Sequence, residues 1–380
     1  MTILMVIPAM AGGAPADDYA VTSTAVSSNP SDVVNYWRAD NGRNMNEARE
    51  MTMPLGRRRR AQDPAAARLS PGGPLLALSG STGGRGAGRA VQRMQPMSLR
   101  LDAPTPNAGT FPFSFDRYRL FPNTEAQYKT YPYRTVGKLF FNIGASRFVC
   151  SASVVTSFNT SVVWTAGHCV YTPGTGFHSN WLFVPAQRRV GVTPTSPYGD
   201  WTALYAVVLT VWTTGLLEYD HGALIMNRST DTGQTIGETV GMLGFMANAP
   251  RQQQFHAAGY PAAPHSAPSY NPQFTGFHHE ICDAGWAAND LPTGGGSDPP
   301  TIGIGCDQTG GSSGGPWIVD FNSLAVSTSG GGNPVALNLL NGNNSYRYSG
   351  GPPNNLRMFS PYFSNGAIVL RDFAENVDVP

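Results

Sequence analysis

Gly305-Cys306-Asp307-Gln308-Thr309-Gly310-Gly311-Ser312-Ser313-Gly314-Gly315-Pro316-Trp317-Ile318-Val319-Asp320 is the stretch on which the reading of this 380-residue chain turns. It predicts a tight glycine-rich turn that presents Ser313 at its apex and then enters a strand at Trp317. Glycines on both sides let the backbone take conformations that a Cβ would forbid. The same turn aims the amides of Gly311 and Ser313 into the space in front of the serine oxygen. A hydroxyl nucleophile with two backbone donors for a developing oxyanion is what acyl transfer requires. A serine hydroxyl is inert at neutral pH without a base, and the base needs a third group to orient it. Trp164-Thr165-Ala166-Gly167-His168-Cys169 closes an apolar run, so His168 stands where a strand ends and is the candidate base. Tyr219-Asp220-His221-Gly222-Ala223-Leu224-Ile225-Met226 places an acid at the head of another apolar strand. Asp220 follows His168 by 52 residues and precedes Ser313 by 93.

Thr-Ala-Gly-His-Cys, an Asp leading an Ala-Leu-Ile strand, and Gly-Ser-Ser-Gly-Gly-Pro together resemble the serine peptidases of the chymotrypsin fold. The order His, Asp, Ser is that fold's order and differs from the orders of subtilisins and α/β-hydrolases. Within the superfamily the chain is most similar to the secreted bacterial trypsin-like and glutamyl-endopeptidase-like (V8-like) group, which carries Gly-Gly-Ser-Ser-Gly and a Gly-Tyr-Pro like Gly259-Tyr260-Pro261. The resemblance spans residues 131–375. It implies an all-β fold of two Greek-key antiparallel β-barrels with the active site in the cleft between them. It also implies catalytic roles for His168, Asp220 and Ser313, an oxyanion hole at Gly311 and Ser313, a polypeptide substrate and no cofactor or metal. Asp307 lies six residues before Ser313, where trypsin carries its specificity aspartate. With Ser345 and Tyr346, Asp307 is the candidate substrate-binding set. Glutamyl endopeptidases share that aspartate and add a histidine where this chain has Asn344, so preference for basic or acidic residues stays open. Ser312 stands where trypsin has the aspartate that receives a new N-terminal ammonium, although Arg134-Thr135-Val136-Gly137 is similar to such an activation site. Removal of a front segment is therefore expected to act by unblocking.

Composition bounds the rest. Charged residues are 13 % of the chain and the net charge is +1, so nothing global points to nucleic acid or an anionic membrane. Residues 1–130 carry +5 and residues 131–380 carry −4, a basic front on a sparsely charged body. The four cysteines, 150, 169, 282 and 306, allow three pairings. Sequence proximity and the resemblance favour Cys150 with Cys169 and Cys282 with Cys306, hence an oxidising, extracellular setting. No apolar run reaches the roughly 18 residues of a membrane span.

Along the chain, residues 1–16 are expected to be a signal-like leader: Ile3 to Ala11 is apolar and Ala14-Pro15-Ala16 offers small residues for cleavage, without the usual preceding cation. Residues 17–130 are expected to be pro-region and linker, largely disordered, with one short amphipathic helix over 32–53. The run Arg57 to Arg60 reads as a solvated charge run in that linker, and Arg85, Arg89 and Arg93 as part of it. Order is expected from Tyr131, with a first barrel over 131–245 and a second over 246–375. Short strands are expected at 135–141, 147–155, 181–184, 204–212, 223–226 and 239–245, then at 253–260, 274–282, 317–319, 335–340, 344–348 and 367–370, separated by Gly, Pro and Asn turns. A short final helix is expected over 371–379. His178, His221, His278 and His279 are rival bases and Asp200 a rival acid. A monomeric endopeptidase is the expected whole, and a peptide-binding pseudoprotease on the same fold is the alternative.

Overall fold

The computed structural model describes residues 3–5, 19–51, 75–83, 91–92, 113–120, 127–263, 274–292, 299–321, 337–348 and 354–380. Ahead of the body lie strand β1 (Val21–Ala25), helix α1 (Pro30–Asn46) and strand β2 (Arg49–Glu50). Asn29 caps α1 by accepting from the Ser31 N–H, and Pro30 brings its fixed φ to the first turn. The helix breaks at Ala39–Gly42, where Asp40, Asn41 and Gly42 take positive φ. Val33, Trp37 and Met45 are buried against Phe140, Val149, Leu182 and Val184 of the body, and the Trp37 indole donates to Asn180 O at 2.7 Å. The short helix expected over 32–53 lies at Pro30–Asn46, and residues 19–51 around it are docked rather than disordered, because one face of that helix carries enough apolar area to pack. Further short strands precede the body, among them β3 (Leu76–Leu78), which pairs with Val91–Gln92, and β4 (Asp116–Arg119). The Arg57–Arg60 run, Arg85, Arg89, Arg93 and, apart from Ile3–Met5, the expected leader lie outside the described residues.

Six strands make the first barrel: β5 (Val136–Ile143), β6 (Ser146–Val154), β7 (Val162–Thr165), β8 (Ser179–Pro185), β9 (Trp201–Leu209) and β10 (Gly222–Met226). Their order is β9–β8–β5–β6–β7–β10, every neighbour antiparallel, and β10 pairs again with β9 to close the ring. Closure removes the free edges a flat sheet would expose. Where β8 leaves β9 at Thr202, β1 takes over from Tyr205 to Leu209. Leu139, Phe141, Val154, Val163, Phe183, Val208 and Leu224, from alternate strand positions, fill the interior.

A short helix, α2 (Ile236–Val240), closed by a Thr235–Glu238 capping box, leads into the second half. There the strands are β11 (Gly244–Ala247), β12 (Gln254–Gly259), β13 (Glu280–Asp290), β14 (Thr301–Gly305), β15 (Pro316–Val319), β16 (Leu339–Asn343) and β17 (Arg357–Ser360). They run β17–β14–β13–β12–β15–β16, and hydrogen bonds from Ser345 N and Phe359 N bring the chain after β16 back beside β17. The expected all-β architecture is what the chain adopts. A final helix, α3 (Asn365–Glu375), packs Ala367, Leu370 and Ala374 on the first barrel's outer face.

Several expected boundaries move. Thr239 and Val240 end α2, and the strand after them, β11, pairs with β16 and β3 of the second sheet rather than with the first barrel. The strand expected over 274–282 begins only at Glu280, and 344–348 keeps only isolated bridges, at Tyr346 and Arg347. Ala367 to Leu370, expected as a strand, is helical, since its buried positions recur at three and four residues. β14 and β17 escaped notice because a glycine-punctuated run and an Arg-Met-Phe-Ser run lack strong alternation. Among the described residues no helix is long and apolar enough to cross a membrane.

Lys138, on β5, is 4 % exposed and lies 5.0 and 5.4 Å from the ring centres of Phe140 and Phe277. Burial, with the charge of Arg189 second, pushes its pKa down to about 7. Between that value and the unfolded value of about 10.4 the unfolded chain binds more protons, so stability rises with pH. Lys138→Met is therefore expected to stabilise the protein at pH 7. Its advantage should shrink by roughly 2 kcal/mol at pH 9, read from urea unfolding at both pH values.

Candidate active site

β7 ends at Thr165, Ala166 stays extended, and Gly167–Cys169 turns as one 3₁₀ unit that faces His168 back toward β10. Gly167 is needed for contact: a Cβ there would lie 3.0 Å from the Trp212 ring. Asp220, just ahead of β10, meets the histidine twice. Its Oδ1 accepts the His168 N–H at 2.8 Å and its Oδ2 pairs with His168 Nδ1 at 2.8 Å. Ser345 Oγ donates to the same Oδ2 at 2.5 Å, and Asn343 Nδ2 holds the Asp220 carbonyl at 3.1 Å. The carboxyl is fully buried. Burial works to raise its pKa, but the charge and hydrogen bonds of His168 and the Ser345 hydroxyl outweigh it and leave the group below its usual value. The imidazole thus has its Nδ1 side committed, while Nε2 is buried with no partner among the described residues.

The Gly310–Gly315 turn is held from both barrels. Ser151 of β6 donates its N–H to Ser313 O at 2.7 Å and its hydroxyl to Gly311 O at 2.9 Å. From below, Asn344 Nδ2 lies 3.1 to 3.3 Å from Ala258 O, Gln308 Oε1 and Ser312 O, while its Oδ1 accepts from Trp317 Nε1 at 2.8 Å. Gly314 N donates to Asn344 O, and Gly311 and Gly314 both take positive φ. At Gly314 a Cβ would lie 2.0 Å from Thr165 Oγ1 and 2.7 Å from Ala166 N, so the turn seats directly on the segment that leads to His168. The N–H groups of Ser312, Gly314 and Gly315 have backbone acceptors, whereas those of Gly311 and Ser313 have none among the described residues. Ser313 Oγ is likewise buried and unpartnered.

Both cysteine pairs are bonded, Cys150–Cys169 beside the histidine and Cys282–Cys306 beside Asp307, so neither offers thiolates to a metal. The expected substrate-binding residues are differently employed. Asp307 is 1 % exposed and paired with Arg117 Nε of β4 at 3.1 Å. The Ser345 hydroxyl serves Asp220. The Tyr346 ring is turned into the second barrel, stacked on Phe359, with its hydroxyl 2.6 Å from Thr301 Oγ1 and 2.7 Å from Asp290 Oδ2.

Rivals are accounted for. Asp200 binds the guanidinium of Arg38 through both oxygens at 2.6 Å, which makes it a clamp for α1. His178 stacks on Phe141, and burial pushes its pKa down to about 4. Burial does the same to His221, to about 4, and to His279, to about 3. His278 is lowered too, chiefly by burial. Val136 and Gly137, expected near an activation site, are built into β5, where a Cβ on Gly137 would lie 2.4 Å from Val184 O. A polar cavity of about 460 Å³ between α1 and the first barrel is lined by Arg38, Asp200 and Asn227, and none of His168, Asp220 and Ser313 reaches it.

Solved structures resemble this arrangement. A thermostable serine protease, AL20, from an extremophilic microorganism is 33 % identical over 64 % of this chain and 98 % of its own, with a TM-score of 0.51. The protease Anisep from Arthrobacter nicotinovorans is 32 % identical over 64 % of this chain and 96 % of its own, with a TM-score of 0.50. The chain belongs to the chymotrypsin-fold serine proteases. No protein-family model and no curated protein sequence matches it.

Ser151 was not legible as a site residue, and Asn344, marked only by the family likeness as a pocket position, was not legible as a support of the turn, since an Asn among Asn, Gly and Ser and a Ser on a strand look the same in any setting. Asn344→Leu leaves the Ala258, Gln308 and Ser312 acceptors buried without a donor. It is expected to cost roughly 3 kcal/mol in denaturant unfolding. An unchanged midpoint would show that those acceptors find other donors.

Proposed function

We propose that this protease-family chain is an active serine endopeptidase that works in an oxidising, extracellular setting and cleaves polypeptides through an acyl-enzyme. One observation carries the reading: a buried carboxylate binds the Nδ1 side of His168, while His168 Nε2 and Ser313 Oγ are both buried and have no partner among the described residues. Buried polar atoms are rarely left so without a functional reason. In the proposed cycle Ser313 Oγ bonds to the scissile carbonyl carbon and its proton passes to His168 Nε2. The carbonyl electron pair moves onto oxygen, where the Gly311 and Ser313 N–H groups meet it, each contributing roughly 3 kcal/mol by analogy with other hydrolases. Collapse breaks the C–N bond, and the leaving amine takes the proton from Nε2. Water then repeats the sequence on the acyl-enzyme. Asp220 keeps the proton on Nδ1 and stabilises the imidazolium.

The two disulfides support the oxidising setting. Gly259-Tyr260-Pro261 and the doubled glycines support a place near the glutamyl-endopeptidase-like group, although Asn344 replaces that group's histidine and binds the nucleophile turn. Asp307 is not free to receive a substrate cation while Arg117 holds it. A peptide-holding protein without turnover is the second reading, favoured by the complete burial of Ser313.

A fluorophosphonate probe separates the two. It is expected to label the chain, whole or processed, and to fail on Ser313→Ala. Asp220→Asn should lower kcat by about 10⁴, because the tautomer of the base is no longer held. A serine that stays unmodified in both forms would leave only the binding reading.

A further inference from the structure

The front segment of this chain ends its described course on the nucleophile turn. Arg49 and Glu50 of β2 pair in parallel with Phe148 and Val149 of β6, and Met51 N–H donates to Val149 O at 3.0 Å. On its other side the same strand meets the turn: a Cβ on Gly310 would lie 3.1 Å from both Glu50 Cγ and Met51 O. Gly310 adjoins Gly311, one of the two proposed oxyanion donors. Val149 adjoins Cys150, whose disulfide partner Cys169 adjoins His168. A leaving amine must be protonated on the His168 side of the serine, and the edge of β6 that β2 covers is joined to that side through the Cys150–Cys169 bond. Ser313 is 0 % and His168 4 % exposed with this strand in place.

The strand is well anchored. β1 pairs with β9 over five residues, Trp37 is 0 % exposed, Arg38 grips Asp200, and Arg147 Nη2 reaches Glu47 at 3.1 Å. Backbone pairing on a strand edge is also how an extended polypeptide adds to a sheet. We propose that residues 21–51 are a built-in inhibitor, in which Arg49–Met51 occupies the edge of β6 that the leaving-group half of a polypeptide substrate would otherwise take. The inference rests on the peptidase reading and deepens it. Latency then comes from a strand on the groove rather than from an unformed nucleophile turn, which agrees with a turn already held by Asn344 and Ser151.

Two substrates test this on the full chain. A p-nitrophenyl ester has no residues on the leaving-group side, whereas an internally quenched peptide library with four residues there needs the β6 edge. Met51→Pro removes the N–H that binds Val149 O and is expected to raise kcat/KM for the peptides at least tenfold, while ester turnover changes less than twofold. Trp37→Ala, which frees the anchor by another route, is expected to give the same pattern. A peptide-to-ester ratio unchanged or lowered in both variants overturns the inhibitor while leaving the peptidase intact. Ester turnover that is absent, or survives Ser313→Ala, overturns the peptidase reading and the inhibitor with it.

Discussion

Gly314 has no room for a side chain. Thr165 Oγ1, Ser151 O and Ala166 N all stand within 2.7 Å of where its Cβ would be, so the nucleophile turn is pressed against the strand end that delivers His168. That contact joins the two barrels beside the candidate site. Ser151 secures it with two hydrogen bonds from the first barrel, and Asn344 secures it from the second. The turn that carries Ser313 and the segment that leads to His168 come into contact because a backbone without a Cβ can slide under another.

The buried acid follows from the same geometry. Once the barrels close, Asp220 is removed from water, and an isolated carboxylate there would cost several kcal/mol. Two donors from His168 and one from Ser345 offset the loss of solvent. Ser345 comes from the second barrel, so the acid, like the nucleophile turn, is completed only across the interface. A second set of buried charges, Arg117 and Arg119 against Glu280 and Asp307, plays a structural part in the second barrel by tying β4 to β13. There burial pushes the Glu280 carboxyl up despite both arginines.

The front segment changes how the groove is seen. Its helix is short and broken at Ala39–Gly42, yet Trp37 gives it one large apolar anchor and Arg38 one bidentate ion pair. With the pairing of β1 on β9 and the Arg147–Glu47 ion pair, those two residues hold a strand against the turn. Composition alone makes this region look like largely disordered pro-region with one short helix, because polar residues outnumber the few apolar ones of its single buried face.

Local chemistry determined much of this protein in advance. Glycines flanking a serine, a histidine at a strand end and an aspartate heading an apolar strand are short-range patterns, so the all-β architecture was readable in one dimension and His168, Asp220 and Ser313 stood out there as candidates. The pairing of the cysteines was open by count and was narrowed by proximity and family likeness. What only the tertiary structure decided were the contacts between residues far apart in the chain: Ser345 on Asp220, Asn344 and Ser151 on the turn, Arg117 on Asp307, and Glu50 and Met51 over Gly310. Such partners carry no local signature, since a polar side chain reads the same whether it faces water or a buried acceptor. Their identity is set by which strand closes against which, and that is a property of the folded barrels alone.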